Sequence, residues 1–189
     1  MAHHTHPEDL HHTAGAATLE GGRVARLKDL KDFTVAKGDP DVRGWNVYAN
    51  DGRRIGEVDE LLVDVQAMKV RYLDVDLDRD VLSVTGGNLG ASPATPGTAA
   101  APGTRSDHVL IPIGSAQLDE REDRVIVDLL HTLVGGLPAY DHGPVTREYE
   151  TSVRQHFDRD YRHDPARDQD FYNNDLYNEE RFWKPRRRR

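Results

Sequence analysis

The chain is 189 residues long, with 37% hydrophobic and 31% charged residues, a formal net charge of −8 and no cysteine. Such a length suits one domain with tails or two very small ones, and the missing cysteines exclude a disulfide frame and any CxxC zinc or thiol-redox site. The acidic balance argues against general nucleic-acid binding, which needs a basic surface. No window approaches the roughly 20 uninterrupted apolar residues of a bilayer-spanning helix, and the N-terminus lacks the basic patch and apolar core of a secretion signal.

Residues 1–22 mix His, Thr, Gly and Ala with almost nothing to bury, which reads as an extended arm. Its histidines, His3, His4 and His6 with His11 and His12, are weak metal candidates beside the plainer reading of a solvated polar tail. Residues 23–142 read as the compact domain. Val24, Leu27, Leu30 and Phe33 recur every third position, which suggests a turn or short helix lying on that domain, with Phe33-Thr34-Val35 as its first strand.

Lys37-Gly38-Asp39-Pro40-Asp41-Val42-Arg43-Gly44 cannot continue a helix and reads as a shaped turn. Trp45, Val47 and Ala49 then alternate with polar neighbours up to Asn50-Asp51-Gly52, a hairpin signal. The next strand spans Arg53 to Val65, and its period breaks at Glu57 to Glu60, where a bulge is expected. Lys69 to Leu77 is the clearest strand, with Arg71, Leu73, Val75 and Leu77 on one face and Val70, Tyr72, Asp74 and Asp76 on the other. Asp74, Asp76, Asp78 and Asp80 read as a solvated acidic edge or, alternatively, as a cation site.

Residues 83–107, rich in Pro, Gly, Ala and Thr, read as a flexible loop insertion. His108 to Ile113 resumes a strand that Pro112 confines to an edge or bulge. Gly114 to Asp123 reads as a turn, and Val125 to Leu130 as the last strand. Residues 143–158 read as a short helix with Val145, Tyr149, Val153, His156 and Phe157 on one stripe. Residues 159–189 carry aromatics without periodicity, which favours an extended partner-binding arm over simple disorder, with Phe171, Tyr172, Tyr177, Phe182 and Trp183 as anchors. Arg186, Arg187, Arg188 and Arg189 could meet an anionic lipid surface. There is no P-loop, dinucleotide turn, Gly-x-Ser-x-Gly or His-Glu-x-x-His, so no enzymatic activity is expected.

The run Gly38-Asp39-Pro40-Asp41-Val42-Arg43-Gly44, followed by Asp51-Gly52, Val63-Asp64, Val70-Arg71-Tyr72-Leu73-Asp74-Val75 and Val109-Leu110-Ile111-Pro112-Ile113-Gly114, resembles the PRC barrel of the photosynthetic reaction centre H subunit of purple-type bacteria. The resemblance implies a mainly β fold, a small antiparallel PRC-type barrel with a short C-terminal helix and extended terminal arms. It also implies a cytoplasmic, pigment-free subunit that caps the quinone side of L- and M-type membrane subunits, stabilises their assembly and assists proton delivery to the secondary quinone. No cofactor would be bound directly, since quinone and bacteriochlorophyll belong to the other subunits.

Carried across residue by residue, Asp64 and Arg71 occupy positions of the proton-conducting region, and Asp59 and Glu60 are further candidates. Ala67 stands where the family typically has a glutamate. The plainer reading is that Asp64 ends a strand and Arg71 pairs with a neighbouring carboxylate. The missing membrane helix departs from the family, so a separate single-helix chain is an expected partner and the location is peripheral, on the cytoplasmic side of the photosynthetic membrane. The alternative function is a free, soluble, stress-related PRC-barrel module that binds a protein, with RNA disfavoured by the charge.

Overall fold

The computed structural model describes residues 23–84 and 106–183. The N-terminal histidines His3, His4 and His6, most of the 83–107 insertion and the Arg186 to Arg189 cluster lie outside the described residues. The fold is mainly β: seven strands in one sheet and a few short helices. In chain order these are β1 (Val24–Arg26), β2 (Asn46–Ala49), β3 (Arg54–Asp64), β4 (Lys69–Leu77), α1 (Arg79–Val84), β5 (His108–Pro112), β6 (Ala116–Asp119), β7 (Arg124–Val127), α2 (His131–Val134), α3 (Arg147–Phe157) and α4 (Glu179–Trp183).

The strand order is β5-β4-β3-β2-β7-β6, with β1 pairing β3 beside β2, so the sheet ends at β5 and β6 rather than closing. All pairings are antiparallel except β2 with β7. Pro112 lies in the terminal strand β5, where its missing N–H costs nothing on the unpaired side. The Gly38 to Gly44 turn behaves as its composition demands: Gly38 and Gly44 both have positive φ, and Gly44 N donates to Val58 O at 2.7 Å, tying the turn to β3.

The expected bulge is present, with the register of β3 against β4 slipping between Val58 and Glu60. β4 has the bounds its alternation gives. Three local expectations are corrected. Phe33-Thr34-Val35 is not a strand; the first strand is Val24–Arg26, followed by a 3-10 turn at Leu27–Asp29. Ala116–Asp119, expected within a turn, is the edge strand β6. Asp74 is not part of a solvated edge but fully buried, whereas Asp76 beside it is exposed.

Both faces of the sheet are covered. The inner face holds the main core, which includes Val47, Ile55, Leu73, Val75, Ile111, Val125 and Val127. The outer face of β4 and β5 carries a second cluster in which Tyr72 and Leu110 pack with Tyr149 and Val153 of α3 and with Phe171, Tyr172 and Tyr177. Thr146 caps α3, its hydroxyl accepting from Tyr149 N at 3.3 Å.

The largest departure from expectation lies after α3. Residues 159–183 are not an extended arm; they fold back through two 3-10 turns and α4 onto the sheet. Phe182 is 0% exposed and joins the main core, while Tyr177 is 1% exposed in the second cluster. α4 packs on the Ile113–Ser115 turn and on β6, over the junction where the chain passes from one sheet edge to the other. Aromatic burial is worth about 1.5–3 kcal/mol per side chain, so the segment has ample reason to return to its own barrel.

Candidate functional site

The candidate residues lie along β3 and β4 and fall into separate groups. Asp64, at the end of β3, is fully buried, and its carboxylate accepts from Arg23 Nε at 2.8 Å and from the N–H groups of Gln66 and Ala67 at 3.1 Å each. Arg71 adds a contact from its Nη2 to Asp64 Oδ2 at 3.2 Å. Burial alone raises the Asp64 pKa, but the bonds from Arg23, Ala67 and Arg71 outweigh it and hold the carboxyl below its ordinary value. A carboxylate fixed in its ionised form by two guanidinium groups is a structural anchor and a poor proton relay near neutral pH.

Arg71 reaches further. Its Nη1 donates to Tyr177 O at 3.4 Å and its guanidinium lies 4.5 Å from the centroid of the Tyr172 ring, so it couples β3 and β4 to the C-terminal segment. Glu60 is also buried, accepting from its neighbour Leu61 N at 2.9 Å and from Lys28 N at 3.3 Å, with Arg43 Nη1 at 3.4 Å. Asp59 is exposed, with Lys28 Nζ 3.7 Å away. The four proton-path candidates therefore divide. Asp64 and Arg71 share one buried node, Glu60 belongs to a second one under the Gly38 to Gly44 turn, and Asp59 stands at the surface.

A third node had no signal in the sequence. Glu150 of α3 is 3% exposed; its Oε2 accepts from Arg147 at 2.7 Å and its Oε1 from the Tyr172 hydroxyl. The Tyr72 hydroxyl lies 3.0 Å from both Glu150 Oε1 and the Tyr177 hydroxyl. Burial drives the Glu150 pKa up, opposed by Arg147 and by the tyrosine hydroxyls. Arg147 also stacks 3.9 Å from the Phe171 ring centroid, and Arg154 lies 3.6 Å from that of Tyr161 while donating to Phe171 O at 2.9 Å. Phe171, Tyr172, Tyr177 and Phe182, expected as anchors for a partner, are thus consumed by the chain's own core, and Trp183 is partly buried against it.

As for metal-ligating groups, His108 of β5 and His142 lie with their ring centroids 4.2 Å apart beside Asp74 and Asp59. This grouping was also missed in sequence, because only tertiary pairing connects it: Tyr140 N donates to His108 O at 2.8 Å and Val109 bridges Ala139. A surface depression lined by Asn50, Gln117, Ile126, Val127 and Asp128 holds about 80 Å³, well below the ~300 Å³ at which small-molecule sites begin. No helix among the described residues is long and apolar enough to cross a membrane. Among the described residues, the large apolar side chains left exposed are Met68, Leu130 and Leu133.

The family model for the PRC-barrel domain matches residues 35–134. The match takes in the Gly38 to Gly44 turn and every strand from β2 to β7, and it stops before α3 and the C-terminal segment that closes over the outer face. More than half of the chain lies within that match, and the chain belongs to the PRC-barrel family.

Proposed function

We propose that the chain is a self-contained PRC-barrel binding module that acts through a protein partner and not through chemistry on a substrate. The observation that carries this reading is the return of residues 159–183 to the barrel, which supplies Tyr177 and Phe182 to the cores from within the same chain. A barrel whose aromatic anchors are already buried needs no second chain to complete it. The lack of a reactive pair in the sequence and the acidic charge of −8 favour protein recognition over catalysis or RNA binding.

A second reading is kept by one specific observation, the Gly38-Asp39-Pro40-Asp41-Val42-Arg43-Gly44 turn with the Leu110-Ile111-Pro112-Ile113-Gly114 run at the end of β5 and the start of the 3-10 turn after it, which lean towards the reaction-centre H subunit. There the barrel would cap the quinone side of the membrane subunits, beside quinone and bacteriochlorophyll held by them. Ionised Asp64 would serve that assembly as an anchor, leaving proton transfer to other groups.

Affinity purification of the native chain from gently solubilised cells, with absorption spectra and identification of what co-purifies, separates the two. A protein partner without pigment supports the binding module. Bacteriochlorophyll-bearing membrane subunits in fixed ratio would replace it with the H-subunit role.

A further inference from the structure

Four side chains from four separate segments converge on the outer rim of the sheet: Asp59 of β3, Asp74 of β4, His108 of β5, and His142 from the stretch before α3. One ligand-capable atom from each lies within 4.8 Å of all the others. Asp74 is 0% exposed. Its Oδ1 takes the His108 Nδ1 contact at 2.8 Å, but its buried Oδ2 has no hydrogen bond, although His142 Nε2 stands 3.3 Å away. A buried carboxylate oxygen without a hydrogen bond is costly in a folded protein and calls for a partner.

The backbone is shaped to make this convergence. The β3 bulge falls between Val58 and Glu60, so Asp59 is the extra residue, and bulges re-aim side chains. His142 is brought alongside β5 by the Tyr140 to His108 backbone bond and sits at a positive φ of 62°. Charges of both signs flank the group: Asp76 Oδ1 is 4.0 Å from His108 Nε2, Lys28 Nζ is 3.7 Å from Asp59, and Arg26 interacts electrostatically with Asp74.

We propose that Asp59, Asp74, His108 and His142 form a binding site for a divalent transition cation of the zinc class. Two imidazoles and two carboxylates match the tetrahedral N/O coordination zinc prefers, and imidazole disfavours magnesium and calcium. With bonds of about 2.0–2.1 Å, tetrahedral ligand atoms sit roughly 3.4 Å apart. The Asp74–His142 pair is already at 3.3 Å. Asp59 and His142 are exposed enough to close the remaining distances, Asp59 exchanging Lys28 for the metal. Four donors leave no open position, so the site is structural: it ties the 139–142 stretch, and with it the start of α3, to the rim of β3, β4 and β5.

The N-terminal histidines would also bind zinc, so the test must separate them. In one variant of the full chain His3, His4, His6, His11 and His12 are all replaced by Ala; a second adds His142→Ala, and a third adds Asp59→Asn in its place. Zn²⁺ is titrated by calorimetry and Co²⁺ by visible absorption, with circular dichroism as the check on folding. The arm variant should keep one metal per chain with tetrahedral cobalt bands. His142→Ala should lower its affinity at least tenfold and abolish the bands, and Asp59→Asn, at an exposed position that does not threaten folding, should also weaken it. Loss of all binding in the arm variant, or unchanged affinity in both site variants, overturns the proposal.

Discussion

Gly114 offers the sharpest test of the return of the C-terminal segment to the barrel. A Cβ placed there would sit 2.0 Å from Asp175 O and 2.9 Å from the Leu176 carbonyl, all main-chain atoms with no rotamer to swing away. Ordinary contact begins at 3.4 Å, so the 175–177 turn must retreat by about 1.4 Å in Gly114→Ala. Tyr177 ends that turn, and its movement strains the 3.0 Å contact to the Tyr72 hydroxyl and the 3.4 Å bond from Arg71. Overpacking of this kind costs about 1–3 kcal/mol and each weakened hydrogen bond about 1 kcal/mol, which gives a loss of about 3 kcal/mol. Urea unfolding followed by tryptophan fluorescence should show a midpoint lower by more than about 1 M, at a slope of about 2 kcal/mol/M. Limited trypsin digestion should cut faster at Arg159, Arg162 and Arg167, whose side chains are already exposed and whose backbone the loosened segment frees for the protease. An alanine variant with the parent's midpoint and trypsin resistance would refute the close approach and the clamping role built on it.

Asp64→Asn should destabilise by about 3 kcal/mol at pH 7, since it leaves Arg71 buried without its charge partner. Because the folded pKa of Asp64 is depressed, the native advantage is complete above the unfolded value near 3.8 and is lost as pH falls through the lower folded value. The stability gap between parent and variant should therefore close in acid, and a gap independent of pH down to 2 would contradict the anchor. Glu150→Gln should show the opposite slope. The folded pKa of Glu150 is raised above 4.5, so its contribution is complete below 4.5 and is lost as pH rises through the folded value. The parent should lose ground to Glu150→Gln between pH 4 and 8, and parallel stability curves would refute the reading. Thr146→Ala removes the α3 cap and should cost about 0.5–1 kcal/mol by urea denaturation; no change would mean the cap is idle.

Elements whose pattern is local were readable from the residues alone. β4 has the Lys69–Leu77 bounds its sequence alternation gives, although its register against β3 slips at Arg71, the β3 bulge shows as a broken period, and the glycines of the Gly38 to Gly44 turn carry the positive φ their placement implies. What escaped is whatever depends on distant contacts. Ala116–Asp119 offers only two apolar residues, and it becomes a strand because β7 lies beside it. The aromatics of 159–183 lack periodicity because each meets the barrel separately, through short 3-10 turns with no continuous helical stripe. At the candidate sites, sequence singled out Asp64 and Arg71 as a pair worth watching. It could not show that Tyr72, Tyr172 and Tyr177 would gather around Glu150, or that His108 and His142 would meet, since those pairings exist only after the sheet is assembled.

The single parallel pairing in the sheet bears on the order in which the chain folds. β2, β3 and β4 are sequential neighbours and can zip soon after they are made, whereas the other edge of β2 waits for β7, which comes after β5 and β6 and far along the sequence. Pairings between strands so far apart in sequence form slowly. Refolding should therefore be limited by the arrival of β7, and until it arrives the free edge of β2 is the part of the nascent sheet open to pairing with a neighbouring molecule.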